Sequence, residues 1–136
     1  MRSKILRVID ANYNRAKEGI RVSEEVARFV LGSSRLTDRY KKARHDLTKI
    51  LISLPVSYRQ IVAERNIRED VGRTSLRLDK KKINIQDIFS SNIQRAEEAV
   101  RVLEEWSKLI SIPAARKFQK LRFALYELEK ETFKKF

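Results

Sequence analysis

One stretch of the sequence occurs twice and decides the fold. Residues 12–25 read NYNRAKEGIRVSEE, and residues 92–105 read NIQRAEEAVRVLEE. Eight positions are identical in the two copies, at a constant offset of 80 residues. The similarity extends outward: Ile5, Val8 and Ile9 correspond to Ile85, Ile88 and Phe89, and Tyr40, Arg44, Leu47 and Ile50 correspond to Phe118, Arg122, Leu125 and Leu128. Self-similarity on this scale marks repeated supersecondary units, so the chain contains two related units.

Each unit is predicted to be an antiparallel pair of helices. Apolar residues recur every three or four positions, as on the buried face of an amphipathic helix. In the first unit these residues are Ile5, Val8, Ile9, Ala16, Ile20, Val26, Ala27 and Val30, then Leu36, Tyr40, Ala43, Leu47, Ile50, Leu51 and Leu54. Gly32 ends the first helix, and Pro55 ends the second because it disfavours helix at the residue before it. A short turn between them makes the two helices antiparallel neighbours.

The predicted fold class is therefore all-α. We expect a helical bundle of two pseudo-twofold-related antiparallel helical hairpins with an irregular connector. The chain is expected to form a single helical domain, 1–136, with repeat one at about 4–54, the connector at about 55–84 and repeat two at about 85–136. A short helix is expected after Pro55, and a break at Pro113 is expected between the helices of repeat two.

The composition excludes several classes of protein. Only 3 Gly and 2 Pro occur in 136 residues, which excludes folds of many short strands and glycine-rich phosphate loops. The absence of Cys and the single His exclude disulfides and the common zinc sites. Without a membrane span or signal peptide in the sequence, a soluble, cytoplasmic protein is expected. The net charge of +13 favours an anionic partner.

Polar side chains interrupt the apolar pattern at equivalent places of the two repeats. They are Asn12 and Arg15 in the first repeat and Asn92 and Arg95 in the second. Arg15 projects about 60° from the centre of the apolar face, so it is expected to be buried and to need a negative partner. In one interpretation, Arg15 and Arg95 pair with Glu18 or Glu98. In the other, the Asn and Arg residues line a pocket between the hairpins, where guanidinium groups bind phosphate oxygens.

Two further candidates lie on the second helix of each hairpin. Arg44 and its counterpart Arg122 lie at the edge of the apolar stripe, where they either stay solvated or contribute to a site. His45 projects away from its own hairpin, and it is either a surface residue or a functional base.

The connector is the segment that resembles a functional loop. Asp70 precedes Gly72 in a stretch that also contains Arg65. Asp70 either forms a turn or holds Mg²⁺ while the neighbouring arginines hold phosphates. The run Lys80-Lys81-Lys82 is interpreted as a solvated turn.

Several stretches together resemble a known family. They are residues 9–22 (IDANYNRAKEGIRV), Ala43-Arg44-His45, Arg65 with Asp70-Val71-Gly72, residues 92–105, and Leu121-Arg122-Phe123. These stretches follow the order found in the small helical hydroxymethylpyrimidine phosphate kinase family of thiamine biosynthesis, which the chain resembles over nearly its whole length. Members of that family also occur fused ahead of thiamine-phosphate synthase.

The resemblance implies an ATP-dependent phosphotransferase with Mg²⁺ as cofactor. Such an enzyme moves the γ-phosphate of ATP onto hydroxymethylpyrimidine phosphate and releases the diphosphate. The residues implied are Arg15 and Arg95 as catalytic phosphate contacts, Asn12, Asn92, Glu18, Glu98, Arg44, His45, Arg65 and Arg122 around the substrates, and Asp70 at the metal. Asn66 and Arg73 stand where the family commonly has Asp and Thr, so position 66 is a poor metal ligand and Asp70 is the better candidate.

The implied chemistry suits a protein with no obvious catalytic base. A phosphate monoester has a second pKa near 6, so this acceptor is already largely dianionic at neutral pH. The reaction then needs charge neutralisation and alignment, which arginines and Mg²⁺ supply.

Two other functions stay open at this point. The charge of +13 taken alone favours a basic helical nucleic-acid-binding protein. Nucleic acid is disfavoured as a partner because the unusual Asn and Arg residues are predicted to point inward. The third function is a non-catalytic module that assembles with thiamine-phosphate synthase. The expected partners are hydroxymethylpyrimidine phosphate, thiamine-phosphate synthase as a separate protein and a second copy of this chain, and no membrane.

Overall fold

The computed structural model describes residues 1–73 and 83–136. The described residues form the helices α1 (Arg2–Glu25), α2 (Ser34–Ile52), α3 (Tyr58–Ala63), α4 (Ile85–Ser107) and α5 (Ile112–Phe133), and Val26–Val30 adds one π-helical turn after α1. No strand occurs in this part of the chain, and the all-α prediction is confirmed. The predicted turn at Lys80-Lys81-Lys82 lies outside the described residues. None of the described helices is long and apolar enough to cross a membrane.

Local signals set the ends of these helices. Gly32 has a φ of 59°, a conformation that suits a residue without Cβ, and the Ser33 side chain then caps α2. The short helix expected after Pro55 is α3. The expected break at Pro113 is displaced, since Pro113 lies in the first turn of α5. Proline is tolerated there because the first turn of a helix leaves its N–H groups without intrahelical partners.

The helices pack as two hairpins. α1 and α2 form the first hairpin, and α4 and α5 form the second. Contacts of α1 with α4 and of α2 with α5 join the two hairpins. Residues at equivalent positions of the two repeats are fully buried in the shared core, among them Ile9 and Phe89, Ile20 and Val100, Tyr40 and Phe118, and Leu47 and Leu125. The periodicity therefore identified both the hairpins and the residues that join them.

α1 and α4 come into close contact at Gly19. A Cβ at this position would lie 2.5 Å from the carbonyl oxygen of Asn92, shorter than real Cβ contacts, so the two backbones meet there as only glycine permits. Ala99 holds the equivalent position of α4 and is also buried. This contact places the polar residues of the repeated stretch side by side on the two helices.

One carboxylate in the core has no equivalent in repeat one. Glu97 of α4 is buried, whereas Lys17 holds the corresponding position of α1. Burial, reinforced by the carboxylate of Glu129, raises the pKa of Glu97 to about 9. The charge of Glu98 acts in the same direction, and Tyr40 faces the same pair. Burial therefore favours the protonated form of Glu97 in the folded protein.

We expect Glu97→Gln to stabilise the protein by an amount that grows with pH. The folded pKa is raised above that of the unfolded chain, so between about pH 4.3 and the raised value unfolding releases a proton and wild-type stability falls. Glutamine keeps the side-chain shape without this titration. Urea unfolding at pH 5, 7 and 9 checks the prediction. A difference between the two proteins that stays constant across this range would contradict it.

Candidate functional site

A cleft between α1 and α4 brings the repeated polar residues together. This inter-repeat cleft has a volume of about 460 Å³ and is lined by Asn12, Arg15, Glu18 and Gly19 of α1 and by Asn92, Arg95, Glu98, Ala99 and Val102 of α4. All six Asn, Arg and Glu residues predicted from the repeat thus lie around one cavity. Equivalent positions of two related helices contribute to both of its walls.

The two asparagines have equivalent hydrogen bonds inside their helices. Asn12 Nδ2 donates to the Val8 carbonyl at 2.9 Å, and Asn92 Nδ2 donates to the Ile88 carbonyl at 2.8 Å. Neither amide oxygen has a hydrogen bond to the described residues. Each asparagine is therefore held by its amide nitrogen and retains an acceptor oxygen for a ligand. Asn12 is buried, whereas Asn92 is half-buried.

The expectation that Arg15 is buried is wrong, because Arg15 and Arg95 are both exposed. Helical projection gives the direction of a side chain, but the long stem of arginine carries its guanidinium group past the edge of the apolar stripe into solvent. Pairing with Glu18 or Glu98 is also not observed, since none of these four residues forms an ion pair within the described part of the chain. The cleft thus presents two unpaired guanidinium groups and two unpaired carboxylates.

Arg44 and Arg122 instead hold the helices of each hairpin together. Arg44 Nε donates to Glu24 Oε2 at 2.9 Å, and Arg122 Nε donates to Glu104 Oε2 at 3.1 Å. Glu24, Glu104 and Arg122 are buried, so the solvated interpretation of Arg122 is wrong. The sequence missed these glutamates as partners because the hairpin turn, rather than helical spacing, brings each pair together. The hydrogen bond that Arg122 donates to the Tyr126 hydroxyl and the Glu104 carboxylate raise the pKa of Arg122, which keeps the buried pair charged.

A second cavity adjoins the cleft under the connector. This connector cavity has a volume of about 650 Å³. Its lining consists of Lys4, Arg7, Val8, Asp10, Ala11, Asn12, Asn14, Arg15 and Glu18 of α1 and Arg65, Asn66, Ile67 and Asp70 of the connector. Asn12, Arg15 and Glu18 therefore contribute to both cavities. Asp70 Oδ1 accepts a hydrogen bond from the Gly72 amide at 2.9 Å, which fits the turn, one of the two interpretations of this segment.

The connector is fixed to α1 by a bidentate ion pair that the sequence analysis did not identify. Arg65 Nε and Nη2 donate to the two carboxylate oxygens of Asp10, each at 2.7 Å, and Asp10 is 3% exposed. Hydrogen bonding to Asp10 raises the pKa of Arg65. Arg7 adds a hydrogen bond to the Asn66 carbonyl at 3.1 Å. A carboxylate beside Ile9, where repeat two has Ser90 beside Phe89, was the available signal in the sequence.

His45 is exposed and lines neither cavity. Arg122 also lies outside both linings, and Arg44 lines a shallow groove with Glu18 and Arg21. The roles predicted for these three residues are not supported by proximity to the cleft. Arg15, Arg95 and Asp70, by contrast, all border one of the two adjoining cavities.

Comparison with known proteins places the chain in a family. The ThiD2 family matches residues 7–131. Thiamine-phosphate synthase of Nostoc punctiforme is 33% identical over 92% of this chain and 34% of its own length. Thiamine-phosphate synthase of Synechocystis sp. is 35% identical over 92% of this chain and 35% of its own length. Thiamine-phosphate synthase of Prochlorococcus marinus strain AS9601 is 36% identical over 98% of this chain and 37% of its own length.

The chain spans about a third of the length of these curated relatives. No solved structure matches the chain significantly. The names of the relatives agree with the thiamine-biosynthesis family that the sequence resembles. Because the family match covers residues 7–131 of 136, the chain belongs to the ThiD2 family.

Proposed function

We propose that this protein works in thiamine biosynthesis as an ATP-dependent kinase that converts hydroxymethylpyrimidine phosphate to the diphosphate. The observation that carries the proposal is the inter-repeat cleft, where the unpaired Arg15 and Arg95 stand on opposite walls. Guanidinium groups bind phosphate oxygens through paired N–H donors. Two guanidinium groups that line one cavity suit a reaction in which a phosphoryl group is transferred to an acceptor phosphate.

The proposed step is a direct displacement. An oxygen of the acceptor phosphate attacks the γ-phosphorus of ATP, the bond from that phosphorus to the bridging oxygen breaks, and ADP leaves with the electron pair. Because the acceptor is already anionic, no side chain has to remove a proton from it. Arg15 and Arg95 stabilise the charge on the equatorial oxygens and align the two phosphates.

The remaining residues of the cleft fit the other polar groups of the acceptor. The amide oxygens of Asn12 and Asn92 and the carboxylates of Glu18 and Glu98 are hydrogen-bond acceptors without described partners. An aminopyrimidine offers N–H donors to such groups. The glutamates therefore contact the ring instead of pairing with Arg15 and Arg95.

Asp70 would hold Mg²⁺ in this enzyme. No group of three or more candidate metal ligands occurs among residues 1–73 and 83–136, so those residues form no metal cage of their own. Magnesium in kinases is commonly bound by one or two carboxylates together with substrate phosphates and water, and one carboxylate on the connector cavity fits this mode. When bound, the ion neutralises phosphate charge.

Acceptor specificity tests the proposal. We expect the phosphate ester to be phosphorylated, and we expect turnover of the free alcohol, hydroxymethylpyrimidine, to be lower by about 100-fold or more. An alcohol needs general-base assistance, which contributes about 10²–10⁴-fold, and the cleft contains no histidine. Initial rates with each acceptor, ATP and Mg²⁺ provide the measurement. Comparable turnover of the two acceptors would show that a base acts in the site, with His45 the first residue to replace.

A second candidate function is a module that assembles with thiamine-phosphate synthase. The curated relatives carry the matching segment within chains about three times as long, which favours an association with the rest of that protein. Co-elution with thiamine-phosphate synthase and no consumption of ATP would support this function over the kinase.

A further inference from the structure

The connector makes the two sides of the site different. In the N-terminal half of α1, Asp10 binds Arg65 through two hydrogen bonds of 2.7 Å and so fixes the connector over the helix. In repeat two the corresponding residue of α4 is Ser90, which cannot form this ion pair. The pseudo-symmetric cleft therefore opens into the connector cavity beside Arg15 rather than beside Arg95.

We infer that the connector cavity binds the nucleoside triphosphate and that the inter-repeat cleft binds the phosphate acceptor, an inference that rests on the proposed function. The connector cavity is the larger, about 650 Å³ against about 460 Å³, and both lie in the usual range for small-molecule sites. A nucleoside triphosphate is also the larger of the two substrates. The sizes alone thus favour this assignment over the reverse.

The lining of the connector cavity supplies what a triphosphate and a base require. Lys4 and Arg7 add cations beyond Arg15, so positive charge extends along a chain of phosphates. Val8, Ala11 and Ile67 give an apolar wall for a base, and Asp70 provides the carboxylate for the metal. In contrast, Arg95, Asn92 and Glu98 on the far wall of the cleft suit one phosphate and a small polar ring.

Arg15 and Arg95 are consequently not equivalent, although the repeat relates them. Arg15 borders both cavities and contacts both the donor and the acceptor phosphate, whereas Arg95 contacts only the acceptor. Asp10 lines the connector cavity and fixes the connector to α1 through Arg65.

Occlusion variants test the assignment by binding rather than by turnover. Ala11→Phe fills the connector cavity, and Val102→Phe fills the cleft; both positions are half-buried. Isothermal titration with Mg²⁺-ADP and, separately, with hydroxymethylpyrimidine phosphate gives the two dissociation constants for each protein. We expect Ala11→Phe to weaken the binding of Mg²⁺-ADP about tenfold or more and to leave the affinity for the acceptor unchanged. Val102→Phe should weaken the binding of the acceptor by a similar factor and leave the affinity for Mg²⁺-ADP unchanged.

Lys4→Met is a second test variant, and it replaces an exposed side chain outside the packed core. Lys4 is exposed and has no partner among the described residues, so this protein should fold normally and bind Mg²⁺-ADP more weakly with unchanged acceptor affinity. If wild type binds and reacts with both substrates while Lys4→Met and Ala11→Phe leave nucleotide affinity unchanged, the assignment of the cavities is wrong and the kinase function stands. If wild type binds neither probe, both proposals are overturned.

Discussion

Replacing Arg122 with leucine should lower the free energy of unfolding by about 3–5 kcal/mol, the largest effect on stability that we expect in this protein. The change keeps an apolar side chain but leaves the Glu104 carboxylate buried without its main partner. Arg101 remains 3.6 Å from Glu104, but its side chain is half exposed and does not replace a buried guanidinium. Urea unfolding at neutral pH gives the value.

Two further variants set the scale for this measurement. Arg44→Leu removes the equivalent pair with Glu24 and should also destabilise, though less, because the Arg44 side chain is 18% exposed against 10% for Arg122. Lys108→Ala removes an exposed pair with Glu105 and should change stability by about 1 kcal/mol or less. An equal loss of unfolding free energy in Arg122→Leu and Lys108→Ala would mean that the buried pair of Arg122 and Glu104 does not hold the second hairpin together.

Replacing Arg95 with methionine is expected to lower kcat/KM for phosphoryl transfer by about 100-fold or more. The loss corresponds to a transition-state contact worth roughly 2.7 kcal/mol. Because Arg95 is exposed and unpaired, its removal should change the free energy of unfolding by about 0.5 kcal/mol or less. Steady-state kinetics and a thermal melt of the same preparation provide both quantities.

Arg116→Met is the matched control for Arg95→Met. It removes the same charge from another exposed arginine, which lies on α5 outside both cavities. Its kcat/KM should stay within about twofold of wild type, since distant surface changes act mainly through weak, screened charge effects. If Arg95→Met melts at a lower temperature but its folded fraction has normal activity, Arg95 is a structural residue and does not bind phosphate in the site.

The fold was predictable because its information is local and repeated. Helical periodicity and the 80-residue offset identified the hairpins, and the offset also predicted that Arg15 and Arg95 lie on one cavity. The exposure of Arg15 was not predictable from angle alone, because the length of the side chain decides where its charge lies. The bond between Asp10 and Arg65 joins residues 55 positions apart, and only the folded connector brings them together.

The partners of the buried glutamates were also not predictable from local sequence, because they depend on tertiary packing. Glu24 and Glu104 are identical in the repeat, but neither the period of a helix nor the composition shows that a second helix will provide an arginine to each. Glu18 and Glu98 likewise line the cleft without an ion pair among the described residues, which the sequence pattern alone does not show. Residue types and spacing therefore predicted the six Asn, Arg and Glu residues that line the cleft, and tertiary packing determined which of them have no ion pair among the described residues.

The most direct test of the proposed kinase is phosphorus NMR of one reaction mixture. Purified protein is incubated with ATP, Mg²⁺ and hydroxymethylpyrimidine phosphate, and the phosphorus signals are followed until ATP is consumed. We expect ADP and an organic diphosphate in equal amounts, with both signals strongly reduced for the double variant Arg15→Met, Arg95→Met. Unchanged ATP, or inorganic phosphate in place of the organic diphosphate, would contradict it.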